Sequence, residues 1–277
     1  MNCIFASKKM IAFAPAKINI GLYVTEKRAD GYHNIETIFY PIPVYDVIEI
    51  LPSEEFEITE YGFSTGCKTE QNICYKAWKL LHDEYSIDFV CIHLIKNIPV
   101  EAGLGGGSSN GTTVLKILNN MFKLGLNKEQ LKQYSEILGS DCPFFIDADP
   151  SYGFSRGEHL EKIHLNLTGK TLILFKPPQG ISTSEAFKRI TPKKHENLLS
   201  SIQEEISMWK NNIENVFEPL FEKRYPEISL IKEKLYKSGA DYVQMSGSGS
   251  AYYAIYDKII DFKSIIPEEW YFRDIAL

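Results

Sequence analysis

The segment PVEAGLGGGSS, residues 99–109, is the most informative stretch of the sequence. It follows an apolar strand candidate and opens an amphipathic helix that the spacing predicts over about 109–124, ended by Gly125. Four glycines within positions 103–107 remove Cβ atoms that would keep a ligand away from the backbone. The free N–H groups and the dipole of a helix N-terminus favour an anion. The sequence therefore predicts a phosphate-binding loop made of Pro99, Val100, Glu101, Ala102, Gly103, Leu104, Gly105, Gly106, Gly107, Ser108 and Ser109.

The segment lacks the residues that define two common types of phosphate-binding loop. No Gly-Lys-Ser or Gly-Lys-Thr follows, and the segment does not open a βαβ unit, so it is neither a Walker-type loop nor a dinucleotide fingerprint. A flexible linker is the alternative, but linkers do not usually lie between an apolar strand and an amphipathic helix. Ser108 and Ser109 add hydroxyl groups that could reach a phosphate or a phosphate-bound Mg²⁺.

Two charged residues stand out in apolar surroundings. Lys17 is a lone cation in a strand candidate and follows Pro15, and its alternative role is that of a strand-edge lysine reaching solvent. Asp141 comes just after a predicted helix end at Gly139, where a carboxylate could equally be a turn residue. A lysine and an aspartate beside a phosphate loop are the groups that phosphoryl transfer uses.

Two turns could also contact a ligand. The turn at Asp30 and Gly31 presents Tyr32 and His33, which can stack on and hydrogen-bond to a flat heterocycle, although a hairpin turn with one packed tyrosine explains the same residues. SGSGS at 246–250 lies between two strand candidates and is a second anion-friendly turn, of a kind that is also common without any ligand.

Composition and charge limit the class of protein. Of 277 residues, 44% are hydrophobic and 24% are charged, which is typical of a globular chain. The net charge of −6 argues against nucleic acid as a partner, and no apolar run reaches the ~18 residues of a membrane span. The five cysteines are scattered without a CxxC pair, which indicates free thiols in a reducing, cytoplasmic compartment.

The order of predicted elements indicates an α+β fold, because strands come first, helices follow and mixed pieces close the chain. Strands are predicted at 11–13, 18–24, 35–40, 47–51, 89–94, 153–155, 171–176, 242–245 and 251–256. Helices are predicted at about 73–81, with Asn72 as N-cap, and at 109–124, 127–138, 184–190, 197–211 and 226–238. The predicted domains are an N-terminal extension over 1–10, an ATP-binding domain over 11–176 and a C-terminal domain over 177–277.

Three motifs together resemble those of the GHMP small-molecule kinases. They are PAKIN at 15–19, GLGGGSS at 103–109 and SGSG at 246–249, and they occur in the family's order over the chain from Ile11. RADGYH at 28–33 and GSDCP at 139–143 resemble, within that superfamily, the kinases that act on 4-diphosphocytidyl-2-C-methyl-D-erythritol. The resemblance implies a two-domain α+β fold with the active site in the cleft between the domains.

The resemblance also implies roles for single residues. Lys17 and Asp141 are the implied catalytic pair, and Asn19 the implied contact to the substrate near its reacting end. Cytosine would lie between Tyr32 and Phe187, with His33 reading its edge. Residues 99–109 would hold the ATP phosphates, and the implied neighbours of the adenine are Asn72 and Lys96. The metal ligands for Mg²⁺ are not identified.

The implied activity is ATP- and Mg²⁺-dependent phosphorylation of the substrate's 2-hydroxyl, by a monomer or homodimer. Kinases for mevalonate or homoserine are the nearest alternatives, but neither substrate offers a nucleobase to the turn at Tyr32. A nucleotide-binding protein without catalysis is the alternative from another class. The sequence departs from the family at Val100-Glu101-Ala102, where Met-Gly-Gly is frequent, and at Gly111, where alanine is usual.

Overall fold

Two long strands, β1 (Met10–Lys27) and β2 (His33–Pro52), pair with each other and replace the four short strands predicted there. The gap predicted between strands 35–40 and 47–51 is wrong, because β2 continues through Pro41 and Pro43. β2 pairs with β5 over 35–39 and with β4 over 47–52, so both prolines fall between these two ladders. Gly31 turns the chain between the strands with φ +86°.

The computed structural model describes residues 9–180, 183–195, 197–258, 262 and 264–277. The first eight residues of the predicted extension lie outside the described residues, and Met10 already begins β1. The chain divides into two compact units that interleave along the sequence. Unit 1 comprises 9–16, 44–100 and 105–148, and unit 2 comprises 17–43, 101–104 and 149–277. The domain limits at 11–176 and 177–277 stay a prediction.

Unit 1 contains a small sheet and the helices that pack on it. The end of β2 pairs antiparallel with β4 (Val90–Lys96), which pairs in parallel with β3 (Glu57–Gly62). The helices are α1 (Ile73–Tyr85), α2 (Gly106–Met121), α3 (Lys128–Leu138) and the short α4 (Phe144–Asp147). Their apolar faces bury a core that includes Ile48, Trp78, Leu81, Ile92, Val114 and Leu118. α2 therefore starts inside the glycine-rich segment, three residues before the prediction.

Unit 2 contains the start of β2, which pairs with β5 (Ser151–Ser155), and β5 in turn pairs with β6 (His159–Lys162). A second, antiparallel sheet has the order β10 (Tyr271–Ala276), β7 (Thr171–Lys176), β9 (Tyr252–Tyr256), β8 (Tyr242–Met245). Its helices are α5 (Thr183–Lys188), α6 (Leu198–Ser201), α7 (Ile206–Asn212), α8 (Glu218–Arg224) and α9 (Pro226–Lys237). The largest buried side chains of its core are aromatic, Phe217 and Phe221 among them.

The predicted α+β class and the predicted Asn72 cap of α1 are confirmed. The Asn72 side chain accepts a hydrogen bond from the Cys74 N–H at 2.9 Å, and Asn127 forms a capping box with Gln130. The helix predicted over 197–211 is instead two short helices. None of the helices in the described part of the chain is both long enough and apolar enough to span a bilayer.

Candidate active site

Lys17 lies near the middle of β1 and is only 3% exposed, so the alternative of a lysine reaching solvent is wrong. Its backbone N–H donates to the Leu104 carbonyl at 3.0 Å. Its ammonium donates to the Gly103 carbonyl at 2.9 Å and also to the Asn19 side-chain oxygen. A buried ammonium requires such acceptors, and here they come from β1 and from the glycine-rich segment.

The Gly103 carbonyl is the point where three distant parts of the sequence meet. The Ser246 hydroxyl donates to it at 2.9 Å, and the Asn19 N–H donates to the Ser246 oxygen at 3.1 Å. A Cβ on Gly103, whose φ is +73°, would lie 2.0 Å from the Ser246 carbonyl oxygen. Only glycine therefore permits this contact. Lys17 and Asn19 of PAKIN, Gly103 of GLGGGSS and Ser246 of SGSG are joined here, and all four residues belong to unit 2.

Asn19 is held on both sides of its amide. Its Nδ2 donates to the Thr37 hydroxyl at 2.9 Å, and that hydroxyl donates to the Gly21 carbonyl at 2.5 Å. The Tyr253 hydroxyl donates to the Asn19 backbone carbonyl at 2.9 Å. Thr37 is fully buried and was missed by the sequence analysis. Its only signal is a hydroxyl side chain on an otherwise apolar stretch of β2.

The other half of the glycine-rich segment belongs to unit 1 and forms the first turn of α2. Gly105, the N-cap, offers no side-chain acceptor to the free N–H groups of that turn. A Cβ added at Gly107 would meet nothing within 4 Å, whereas one at Gly106 would lie 2.9 Å from Ile98. The Ser109 hydroxyl is buried and has no hydrogen-bond partner within the described ranges. The open space at Gly107 and the uncapped turn fit an anion.

A buried charged network supports that turn. The Lys96 ammonium pairs with the Asp46 carboxylate and donates to the Asn110 side-chain oxygen at 2.9 Å. The other Asp46 oxygen accepts the N–H groups of Asn97 and Ile98 at 2.7 and 2.8 Å. Asp46 was missed by the sequence analysis, because nothing local distinguishes it from a surface aspartate on a strand.

The two residues predicted near the adenine have structural partners of their own. Lys96 is 2% exposed, and its charge is neutralised by Asp46. Asn72 caps α1 with its oxygen and donates its amide N–H to the Glu60 carboxylate at 2.8 Å. Their contact with a nucleotide stays a prediction.

Asp141 lies in the turn between α3 and α4, next to Cys142. Burial raises the pKa of the Cys142 thiol to about 12, with a smaller upward contribution from Asp141 and an opposing hydrogen bond with Ser108. The Thr112 hydroxyl donates to the Cys142 carbonyl at 2.9 Å. These contacts hold the 139–143 segment against the first turns of α2. Asp141 belongs to unit 1 and Lys17 to unit 2, and their catalytic pairing stays a prediction.

The predicted cytosine site contains an exposed and a half-buried ring. Tyr32 is 56% exposed, and the Arg156 guanidinium lies 5.3 Å from its ring centre. The His33 and Phe187 rings are 5.3 Å apart at 35°, and Phe187 packs edge-on against Phe217. His33 therefore lies beside Phe187, and the sandwich of cytosine between Tyr32 and Phe187 stays a prediction.

No group of three or more His, Cys, Asp or Glu side chains in the described ranges is arranged to hold a metal ion. Magnesium binds readily through one or two carboxylates together with substrate phosphates. The residues present fit such a nucleotide-borne ion better than a resident one.

Comparison with known proteins gives consistent results. The GHMP kinases N terminal domain family matches residues 72–148, and the GHMP kinases C terminal family matches residues 185–271. The 4-diphosphocytidyl-2-C-methyl-D-erythritol kinase of Azobacteroides pseudotrichonymphae genomovar. CFP2 is 44% identical over 253 residues, covering 90% of this chain and 94% of that protein.

Two solved structures are also similar. A crystal structure of 4-(cytidine 5'-diphospho)-2C-methyl-D-erythritol kinase matches with a TM-score of 0.74 at 28% identity, covering 89% of this chain and 90% of that one. The homoserine kinase from Cytophaga hutchinsonii ATCC 33406 matches with a TM-score of 0.70 at 15% identity, over 93% of this chain and 87% of that one. The second likeness is one of fold alone.

Proposed function

The chain belongs to the GHMP kinase family, and we propose that it uses ATP to phosphorylate the 2-hydroxyl of 4-diphosphocytidyl-2-C-methyl-D-erythritol. One observation carries the proposal: the three kinase motifs meet at the Gly103 carbonyl, through Lys17 and Ser246. A flexible linker would not require these fixed contacts at Gly103, whereas a kinase needs the Lys17 ammonium held beside the phosphate loop. The product lies in the non-mevalonate route to isoprenoid precursors.

The choice of acceptor rests on relatives and on the turn at Tyr32. The 44% identical relative carries the name of this activity, and so does the similar structure at 28% identity. The exposed Tyr32 ring offers a stacking surface for cytosine, and His33 offers a ring nitrogen to its edge. Mevalonate and homoserine contain no nucleobase, so these residues favour the cytidyl substrate.

In the proposed reaction, Asp141 orients the tertiary hydroxyl and accepts its proton. Lys17 stabilises negative charge on the transferred group. A tertiary alcohol is a crowded nucleophile, so positioning contributes more than base strength. A loose transition state tolerates a weak base, because the proton leaves late.

The phosphate side of the reaction involves the first turn of α2 and a magnesium ion. The N–H groups of that turn, with the space at Gly107, bind the ATP phosphates. Asp141 and the hydroxyls of Ser108 and Ser109 are the protein groups offered to Mg²⁺. When bound, the ion neutralises phosphate charge. We expect the reaction in the cytoplasm, since the described cysteines, Cys67, Cys74, Cys91 and Cys142, are free thiols.

The test is an ATP-consumption assay of the purified protein with three acceptors. We expect ADP release with 4-diphosphocytidyl-2-C-methyl-D-erythritol, and only background release with mevalonate or homoserine. Release with mevalonate or homoserine alone would assign another GHMP kinase activity. No release with any acceptor, from a folded protein that binds ATP, would favour a nucleotide-binding protein without catalysis.

A further inference from the structure

The segment ENVFE, residues 214–218, joins α7 to α8 and was given no role by the sequence analysis. Two of its side chains, Asn215 and Glu218, are polar and yet only 3% and 5% exposed. Burying an amide and a carboxylate costs free energy unless their partners are well placed. Those partners are the residues at the start of the 246–250 turn.

Asn215 binds the turn through both N–H groups of its amide. Nδ2 donates to the carbonyl oxygens of Met245 and Gly247, each at 2.8 Å. The amide oxygen accepts the Phe217 N–H at 3.0 Å, which fixes the orientation of the amide. Gly247 has φ +59°, and a Cβ there would lie 3.0 Å from the Gly103 Cα. Asn215 thus holds the part of the turn that touches the glycine-rich segment.

Glu218 also holds Met245, but through the backbone N–H of Met245 rather than its carbonyl. Its carboxylate accepts the Met245 N–H at 3.0 Å and pairs with the Lys232 ammonium of α9. Met245 is the last residue of β8 and immediately precedes Ser246. Both backbone groups of the residue before the turn are therefore held by side chains of one short segment.

The 214–218 segment also pairs with β1. The Leu22 N–H donates to the Glu214 carbonyl at 2.9 Å, and the Val216 N–H donates to the Leu22 carbonyl at 2.9 Å. Leu22 lies three residues after Asn19. The segment consequently connects the strand that carries Lys17 and Asn19 with the turn that carries Ser246.

We propose that Asn215 and Glu218 are positioning residues for phosphoryl transfer, which fix the 246–250 turn so that Ser246 holds the Gly103 carbonyl beside the Lys17 ammonium. This inference rests on the proposed function, since it assigns the junction at Gly103 to catalysis. We assign their effect to Met245 and Gly247 rather than to contact with a substrate. Misplacement of a catalytic group by about 1 Å can lower a rate by about 10²-fold.

The surroundings of Asn215 make the test practicable. A cavity of about 260 Å³ lies beside it, lined among others by Glu218, Lys232 and Tyr236. Water from this cavity can bind the Met245 and Gly247 carbonyls when the amide is removed. We therefore expect a truncated variant to fold with a turn that is no longer held in one position.

Asn215→Ala and Asn215→Asp are the first pair of variants. Asp keeps the size of the side chain but cannot donate to the two carbonyls. We expect kcat to fall by about tenfold to 10²-fold in both, with each KM changed by less than about threefold. Unchanged kcat in both folded variants would overturn the proposal.

Glu218→Gln and Glu218→Ala separate the hydrogen bond from the ion pair. Gln keeps an oxygen for the Met245 N–H but no longer neutralises Lys232, so we expect lower thermal stability with kcat within about threefold of wild type. Ala removes both contacts and should lower kcat as Asn215→Ala does. Equal kcat loss in both variants would assign the effect to the ion pair and overturn this role for the hydrogen bond.

Tyr236→Phe is the matched control for a general loss of stability. It removes hydrogen bonds to the Val243 N–H and carbonyl at 3.1 and 3.3 Å, two residues before Met245. We expect a lower Tm with unchanged kcat. A kcat loss equal to that of Asn215→Ala at matched Tm would overturn the proposal.

Amide hydrogen exchange distinguishes failure of this inference from failure of the proposed function. If wild type does not phosphorylate the cytidyl substrate, the proposed function fails. In that case, the positioning role is tested by the rates of amide hydrogen exchange in peptides covering 101–104 and 246–250. Exchange there should rise in Asn215→Ala and stay unchanged in Tyr236→Phe, and no rise in Asn215→Ala would refute the positioning.

Discussion

Among single residues, Glu101 has a backbone that its side chain disfavours. It adopts φ +51°, in the left-handed region. Burial lowers the pKa of the nearby Lys176 ammonium, and the Glu101 carboxylate opposes that effect. Replacing Glu101 by glycine would therefore relieve the backbone and also remove this charge interaction.

Glu101→Gly should raise the free energy of unfolding by about 0.5–1 kcal/mol, because glycine adopts a positive φ without strain. The measurement is urea denaturation. Glu161→Gly is the control, since Glu161 lies in β6 at an ordinary φ. We expect Glu161→Gly to lower the free energy of unfolding. A similar decrease in Glu101→Gly would show that the backbone at Glu101 is not strained.

Tyr32 is the residue on which the choice of substrate depends. Tyr32→Ala should raise the KM for the cytidyl substrate about 5- to 150-fold, because stacking on a base contributes roughly 1–3 kcal/mol. The KM for ATP should change little. Tyr45→Ala, which removes another exposed ring, should change neither. Equal loss of both substrates in Tyr32→Ala would indicate a structural role instead.

Substitution of Asp141 tests the chemical step separately from substrate binding. Asp141→Asn keeps the shape of the side chain and removes the proton acceptor, so kcat should fall by about 10²–10⁴-fold with little change in either KM. Steady-state kinetics measure this, and a melting curve confirms folding. A kcat within a few-fold of wild type would make Asp141 a turn residue only.

Residue patterns predicted some members of the site and could not predict others. Lys17 and Asp141 stand out because each is a charge in an apolar context. Thr37 and Asp46 do not, because their importance comes from partners far away in the sequence, Asn19 and Lys96. Burial and pairing of this kind are tertiary properties.

At the scale of elements, α2 combines an open first turn with a tightly packed middle. Gly107 faces open space in the first turn. A Cβ at Gly111 would lie 2.7 Å from Ile73 of α1 and 3.3 Å from Leu138 of α3. Glycine at 111 thus permits close packing of three helices.

Gly107→Ala should have opposite effects on stability and on nucleotide binding. The helix gains roughly 0.5–1 kcal/mol, since alanine replaces glycine without a clash. The KM for ATP should rise about tenfold, equivalent to about 1.4 kcal/mol, because the new methyl group takes phosphate space. Calorimetry and ATP titration measure the two effects.

Gly111→Ala is the control within the same helix. Its methyl group overpacks the contact with Ile73, which costs about 1–3 kcal/mol and cancels the gain in helix propensity. ATP binding should stay as in wild type. If a folded Gly107→Ala variant binds ATP with wild-type affinity, the first turn of α2 does not bind the ATP phosphates.

The strands missed by the sequence analysis share one property. β3, β6 and β10 each lie at the edge of a sheet. Edge strands need no continuous apolar run, because one side has no partner strand, and charged residues there prevent further pairing. β7, a central strand that is buried over most of its length, was predicted with its full bounds, and so was β8, an edge strand that is buried throughout.

At the scale of the whole molecule, the sequence cannot reveal how the two units interleave. The glycine-rich segment is continuous in the chain, yet 101–104 belong to unit 2 and 105–109 to unit 1. Turn and periodicity rules see only local residues, whereas this division depends on contacts such as that of Gly103 with Ser246. The motif order nevertheless identified the family, because the motifs contain Lys17, Gly103 and Ser246, which meet in the fold.

The measurement that tests the central claim most directly is ³¹P NMR of the reaction of wild-type protein with ATP, Mg²⁺ and 4-diphosphocytidyl-2-C-methyl-D-erythritol. The account predicts one new phosphomonoester signal on the tertiary carbon for each ADP formed, with the cytidyl diphosphate signals retained. Formation of ADP and free phosphate without that signal, or loss of the cytidyl diphosphate signals, would contradict it.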